Sequence, residues 1–249
     1  MPSVSVRVYG ELGDFLPRAR RQATLLCSFE GGRSVKDLVE QLGVPHPEID
    51  LLIVNGEPVG FAYPLRDRDR VAVYPRFEAI DVGPAPRLTP PAQAQPRFVA
   101  DVHLGRLAAY LRLAGFDTTY RNDYSDHDIA AISADEDRTV LTRDVGLLKH
   151  RRIARGCFLR NTQPGRQLVE VVRRFDLVRS AAPFTRCLRC NASLMPVPKG
   201  LVHRELPPRV REHFREFARC PGCLRVYWSG SHYARMRPFI DAALDAASR

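Results

Sequence analysis

The chain has 249 residues, of which 45% are hydrophobic, enough to build one to three domains with buried cores. Its opening, MPSVSVRVYG, lacks the apolar stretch of a secretory signal, and no run is long enough to cross a membrane, so a soluble, cytoplasmic protein with no membrane partner is expected. The net charge of +10 is uneven: residues 1–96 hold 11 basic and 12 acidic side chains, whereas residues 97–249 hold 27 and 16, a balance that favours a polyanionic partner, nucleic acid first.

Residues 1–82 read as a small domain. VSVRVY and ATLLCSF alternate as strands. SVKDLVEQLG predicts a short helix, with Ser34 capping its start and Gly43 placed for a left-handed end. In LLIVNGEPV, Asn55-Gly56 lies between apolar runs and predicts a hairpin. RVAVYP is a further strand. The order ββαββ is that of a β-grasp, ubiquitin-like domain. Residues 83–96, GPAPRLTPPAQAQP, contain five prolines and predict an extended linker. Protease is expected to cut there first and to leave a stable fragment of residues 97–249.

The second domain is expected over residues 97–183. RFVAD is a strand, and HLGRLAAYLRLAG repeats Leu104, Leu107, Leu111 and Ala114 at helical spacing. FDTTYR is a strand, and SDHDIAAISADE opens a helix with Ser125 and Asp128 spaced as a capping box. RTVLTRD and CFLRN are further strands; GLLKHRRIARG and PGRQLVEVVRRFDL are helical stretches. Strands alternating with helices predict a parallel α/β sheet.

Asp101 and Asp144 each end a predicted strand, and Asp123, Asp126 and Asp128 follow another. The carboxyl edge of a parallel sheet is where ligands bind. Clustered carboxylates repel, and their pKa values rise unless a cation sits among them. Hard oxygen ligands suit Mg²⁺ or Mn²⁺, and such a centre can activate water against a phosphodiester. Each Asp alone also reads as a helix cap. Thr142 could hold a phosphate oxygen or water, and Arg106 and Arg143 could meet phosphate. His103 and His127 flank the acids without ligand spacing and read as bystanders.

Residues 184–249 carry Cys187-x-x-Cys190 and Cys220-x-x-Cys223, 29 residues apart. Two such pairs predict a tetrahedral, structural zinc site with no open coordination position. Cys27 and Cys157 stand alone in apolar surroundings and read as core residues. Trp228 and Tyr233, beside Arg225 and Arg235, could stack on bases, or pack over the ribbon. His232 could touch substrate, with packing as its other role.

The long pattern FVADVHLGRLAAYLRLAGFDTTYRNDYSDHDI…LTRDVGLLKH resembles the Mut7-C family of PIN-like ribonucleases. The N-terminal stretch resembles the ubiquitin-like domain that accompanies them. The resemblance implies a divalent-metal-dependent ribonuclease acting on RNA, with Asp101, Asp144 and an acid of the Asp126/Asp128 pair as its site. Asp126 matches the family's S-D step, and Asp123 is a candidate fourth acid. The zinc-ribbon tail is likewise a family feature. The β-grasp part is similar in outline to sulfur carriers, but Gly31-Gly32 is internal here. Carrier chemistry is therefore disfavoured, and the domain could dock a protein partner or RNA, although its near-neutral charge does not favour strong phosphate binding. The alternative to a nuclease is a non-catalytic RNA-binding or adaptor protein whose acids are structural.

Overall fold

A computed structural model describes residues 1–76 and 87–249. The last residues of the expected β-grasp domain, 77–82, and the first of the expected linker, 83–86, lie outside the described residues. In chain order the strands and helices of the first part are β1 (Ser3–Val8), β2 (Thr24–Ser28), α1 (Val35–Gln41), β3 (Ile49–Val54), β4 (Glu57–Val59) and β5 (Arg70–Pro75). Next come β6 (Phe98–Ala100), α2 (Gly105–Leu113), β7 (Thr118–Thr119), α3 (Asp126–Glu136), β8 (Thr139–Thr142), α4 (Val145–Leu148), β9 (Gly156–Phe158) and α5 (Pro164–Arg174). The chain closes with β10 (Met195–Pro196), α6 (Lys199–Val202), α7 (Pro208–His213), β11 (Ala218–Arg219), β12 (Val226–Tyr227) and α8 (Ser231–Ala247). By their internal contacts these residues divide into two compact units: Met1–Ala92 with Ala130–Phe158, and Gln93–Ile129 with Leu159–Arg249.

The first unit contains the β-grasp sheet, in the order β2-β1-β5-β3-β4. Alternation along β1 turns Val4, Val6 and Val8 inward, because successive side chains of a strand face opposite ways. They meet Val35, Leu38 and Val39 of α1 in one core. Each such fully buried aliphatic side chain stabilises by about 1.5–3 kcal/mol. The start of α1 is a capping box: the Asp37 N–H donates to Ser34 Oγ at 3.2 Å, and the Ser34 N–H to Asp37 Oδ2 at 3.1 Å. The β3–β4 hairpin turns on Asn55 (φ 53°) and Gly56 (φ 96°), as its sequence predicts.

The same unit contains a parallel strand pair, β8 with β9, in the register Leu141↔Cys157. All four residues of β8 are buried. The β-grasp elements are fastened to this segment. The Phe158 N–H donates to Glu48 Oε1 at 2.6 Å, and Lys149 Nζ donates to the Glu40 carbonyl at 2.6 Å. Buried His46 sets its two ring nitrogens against Glu40 Oε1 (2.7 Å) and the Ile153 carbonyl (2.8 Å). Burial pulls the His46 imidazole below its usual pKa, and the Lys36 charge adds to this; both hydrogen bonds work the other way. Phe15 meets Phe158 edge-on at 5.2 Å.

The described part of the proline-rich stretch is held on this unit too. Asp50 is only 1% exposed, and a buried carboxylate needs donors. Arg87 and the Thr89 hydroxyl supply them, and Leu88 packs against the β-grasp core. Arg155 Nη1 reaches the Pro91 carbonyl at 2.8 Å. The expectation of a loosely extended linker therefore does not describe residues 87–92.

The second unit contains the parallel pair β6 and β7, in the register Phe98↔Thr118. Leu107, Ala108 and Leu111 form the buried face of α2. The chain leaves α2 at Gly115 (φ 98°), where an added Cβ would lie 2.3 Å from the Ala182 carbonyl oxygen; only glycine fits that backbone approach. Pro164 opens α5 in its first turn, where its missing N–H costs nothing. Along α8, Arg173 of α5 donates to the Ala246 carbonyl at 2.6 Å, and Phe239 packs on Tyr110 of α2 with centroids 4.6 Å apart. The cysteine-bearing tail forms a three-stranded antiparallel sheet, β10-β11-β12. A β-grasp part, parallel α/β elements and a ribbon-like tail together give the expected fold class.

One element departs from expectation. GLLKHRRIARG forms only the four residues of α4, not a longer helix. The chain turns at His150, whose carbonyl accepts from the Ile153 N–H at 2.9 Å, so that Ile153 becomes fully buried. Burial of that side chain outweighs helix propensity in a stretch with three arginines and a histidine.

Because Glu48 is 1% exposed and accepts the Phe158 N–H, Glu48→Ala is expected to cost about 1–3 kcal/mol in urea unfolding. The fragment of residues 97–249 is expected to be less stable than the intact chain when both are unfolded in parallel, reversing the stable-fragment expectation.

Candidate functional site

The strand-end acids have distinct local settings. Asp101 follows β6 directly and is 5% exposed. Its carbonyl accepts from the Leu104 N–H at 2.8 Å, while its carboxylate does not cap that turn.

Asp144 follows β8 and is exposed. Its N–H donates to the buried Thr142 hydroxyl at 2.9 Å, and its Oδ1 accepts from the Gly146 N–H at 2.6 Å. Thr142 therefore orients the backbone of Asp144, and Asp144 caps α4. The capping role considered from sequence is real here, and it occupies one carboxylate oxygen.

Three acids follow β7. Asp123 forms a two-pronged pair with Arg121 (2.9 and 2.6 Å), which lowers its pKa. Asp128 Oδ2 accepts the Ser125 N–H (2.9 Å) and hydroxyl (2.7 Å), and these bonds hold its pKa below the usual range. The expected upward shift from carboxylate crowding is thus absent at both, because each has a local partner. Asp126 lies exposed in the first turn of α3. Arg106 on α2, Arg143 after β8, and both His103 and His127 are exposed. Asp101, Asp126 and Asp128 fall in one compact unit and Asp144 in the other.

The four paired cysteines do come together. Their sulfurs lie within 4.8 Å of one another, the closest pairs being Cys190–Cys220 at 3.2 Å and Cys187–Cys223 at 3.5 Å. A tetrahedral zinc with Zn–S near 2.3 Å needs sulfurs about 3.8 Å apart, so the four form a group that can hold a structural metal such as zinc. The two pairs are built alike. The Cys190 N–H points to Cys187 Sγ (3.5 Å) and the Cys223 N–H to Cys220 Sγ (3.4 Å). The residue after each pair, Asn191 or Leu224, is left-handed (φ 71° and 62°). Burial resists charging of the Cys187 thiol, but the Tyr227 hydroxyl and backbone N–H groups outweigh it and bring the pKa to about 6. Burial pushes Cys190 up to about 12. Of the two lone cysteines, Cys157 is fully buried, and Cys27 packs partly against the β-grasp core.

Arg112, which the sequence reading passed over, joins α2 to the first cysteine pair. Its side chain is 5% exposed. Nε donates to the Thr118 carbonyl at 2.8 Å; Nη1 donates to the Leu188 and Arg189 carbonyls at 3.0 and 3.1 Å. Those two carbonyls lie between Cys187 and Cys190. Burial lowers the Arg112 pKa, and the neighbouring Cys187 and Cys190 oppose the shift. Asn191 completes the join, accepting from the Thr118 N–H at 3.0 Å and donating to Asp117 at 2.7 Å. The available sequence signal was a charged residue beside Leu111 on the apolar face of the helix.

Trp228 packs partly buried against Val202, Leu206 and Phe217, and His232 is exposed in the first turn of α8.

Comparison with known proteins adds the family. Residues 96–240 match the family model described as Mut7-C RNAse domain, and residues 1–81 match Mut7-C ubiquitin. No curated protein matches the chain. Among solved structures, H. volcanii small archaeal modifier protein 1 aligns at 16% identity and a TM-score of 0.26, over 31% of this chain and 100% of that one. A structure of SAMP1 from Haloferax volcanii aligns at 17% identity and 0.25, over 31% and 98%.

Elemental analysis of the purified chain is expected to give about one zinc per chain, and Cys187→Ser is expected to lose it and to expose the tail to protease, since such modules fold with their metal. Arg112→Ala leaves three carbonyls without their donor, each at a cost of about 1–3 kcal/mol if it stays unsatisfied. It is expected to lower the unfolding midpoint and to speed zinc loss to a chelator.

Proposed function

Because the chain belongs to the Mut7-C RNAse domain family, we propose that it is a ribonuclease that hydrolyses RNA phosphodiester bonds with Mg²⁺ or Mn²⁺ held by Asp101, Asp126 and Asp144. The observation that carries this reading is the buried Asp101 carboxylate at the carboxyl end of a parallel strand, inside the matched region. Carboxylate oxygens suit a hard divalent ion, and the carboxyl edge of a parallel sheet is where ligands bind.

Asp144 keeps Oδ2 available for a cation while Oδ1 caps α4. Asp128 is engaged by Ser125, which supports Asp126 over Asp128 as the third ligand. Asp123, paired with Arg121, is the weaker candidate for a fourth. When bound, the ion supplies charge neutralisation at the phosphate and activation of the attacking water. The chain's own part is to hold the carboxylates still, through Thr142 under Asp144 and the strand β6 under Asp101. The exposed guanidinium groups of Arg106 and Arg143 suit the non-bridging phosphate oxygens. The cysteine group holds structural zinc in this reading and takes no part in the chemistry.

The functional division follows the sequence: a β-grasp module over residues 1–82, the proline-rich stretch 83–96, the nuclease over 97–183 and the ribbon over 184–249. The β-grasp module docks a protein partner, and the chain works in the cytoplasm.

A second reading, an RNA-binding or adaptor protein without catalysis, is favoured by the caps that Asp144 and Asp128 provide. The two readings part on Asp101→Asn and Asp144→Asn. Asparagine also caps helices, so structural acids would tolerate the change. Ribonuclease action is expected to fall by about 100-fold or more, with the fold and RNA affinity retained. Labelled RNA incubated with each purified variant and with added Mn²⁺ or Mg²⁺ checks this. Full activity in both variants would remove the site assignment.

A further inference from the structure

Within the second unit, the ribbon, the end of α2 and the start of α8 enclose a cavity of about 850 Å³. That volume lies in the range of small-ligand sites, about 300–1,000 Å³. Five aromatic side chains line it: Phe184, Phe217, Tyr227, Trp228 and Tyr233. Phe184 and Tyr233 lean together, their centroids 4.1 Å apart and their planes 39° apart. The Tyr233 hydroxyl is steadied by Arg237, whose Nη1 donates to it at 3.3 Å.

The polar side of the same cavity is mostly cationic. Arg186, Lys199 and Arg215 line it, with Glu216 as its one carboxylate and His232 as a further polar side chain. Lys199 is spent on the Arg211 carbonyl, which fixes its ammonium in place. Arg215 is exposed, and among the described residues its guanidinium forms no ion pair. The surrounding half of the chain, residues 97–249, has 27 basic against 16 acidic side chains.

We propose that this cavity binds one or two unpaired nucleotides of single-stranded RNA, with a base against Trp228 and Tyr233 and the flanking phosphate at Arg215. The inference rests on the RNA-directed reading above and adds a second contact on the substrate, away from the acids. Aromatic faces accept any base, and an adjoining unpaired cation accepts the backbone; an apolar peptide would have no use for the cations. Glu216 can accept from a base amino group. The cavity therefore selects unpaired over duplex RNA, because a base in a helix cannot leave its stack without cost.

Trp228 is the only tryptophan of the chain, so its fluorescence reports on this cavity alone. Titration of the full-length protein with a short single-stranded RNA, without added Mg²⁺ or Mn²⁺, is expected to quench that fluorescence. An RNA duplex of the same sequence is expected to quench it far less. Tyr233→Leu is expected to weaken binding about 10-fold, within the range for loss of one stacked base. Arg215→Ala, at an exposed position, is expected to keep fold and zinc content while lowering the slope of log affinity against log salt by about 0.7.

Binding that leaves the Trp228 emission unchanged, or wild-type affinity in both variants, would overturn the proposal. So would quenching by an apolar peptide in preference to RNA, or equal quenching by duplex. Cleavage assays on the same proteins, with Mn²⁺ or Mg²⁺ now added, separate the two readings. Quenching by single-stranded RNA with no cleavage by the wild-type chain sinks the ribonuclease reading and leaves the cavity. Cleavage with no effect of either variant on binding sinks the cavity alone.

Discussion

A buried guanidinium holds the second half of this molecule together. Arg112 leaves α2 on its apolar side and spends its donors on three backbone carbonyls, one at the start of β7 and two between the first pair of cysteines. Removing a charge from water this completely is tolerable only when its donors are satisfied. The geometry then works in both directions. The cysteine pair is held at the start of β7, and α2 is held in the rotation that buries Leu107 and Leu111. A zinc held by four thiolates would carry net negative charge, which the Arg112 cation beside Cys187 and Cys190 would offset. The tail is thus built into the family domain, which explains why the match runs on through it to residue 240.

The β-grasp part is constrained in a comparable way. It has its own core, yet Glu48, His46, Glu40 and Phe15 all contact residues 149–158. Those contacts flank α4, which Asp144 caps. A ubiquitin-like module on a free tether would have no reason to bury Glu48 or to turn His46 toward a carbonyl more than a hundred residues away in sequence. Arg87 and Thr89 fasten the following stretch to Asp50 by the same logic. Polar groups that lose water in this unit find partners from distant parts of the chain.

The acids show how one side chain can serve structure and chemistry together. Asp144 caps with one oxygen and keeps the other. Asp128 gives Oδ2 to the N–H and hydroxyl of Ser125, and Asp123 gives both oxygens to Arg121. Asp101 is set apart from these by burial without a capping bond. Capping and metal ligation make similar demands, since both need a carboxylate held at an exact backbone position. That is why acids at strand ends could not be sorted by residue type alone.

The sequence by itself determined the local elements and the family. Alternation in VSVRVY, the capping pairs Ser34–Asp37 and Ser125–Asp128, the Asn55-Gly56 turn and the two CxxC pairs act over a few residues, so their patterns survive in one dimension. Tertiary structure decided what depends on distant groups. Whether Asp126 or Asp128 is engaged depends on which one Ser125 reaches. The truncation of α4 depends on the burial of Ile153. The attachment of the β-grasp part, the role of Arg112 and the aromatic cavity all join residues far apart in sequence. Hydrogen bonding and burial at such contacts are properties of position in space, and no spacing rule along a single chain encodes them.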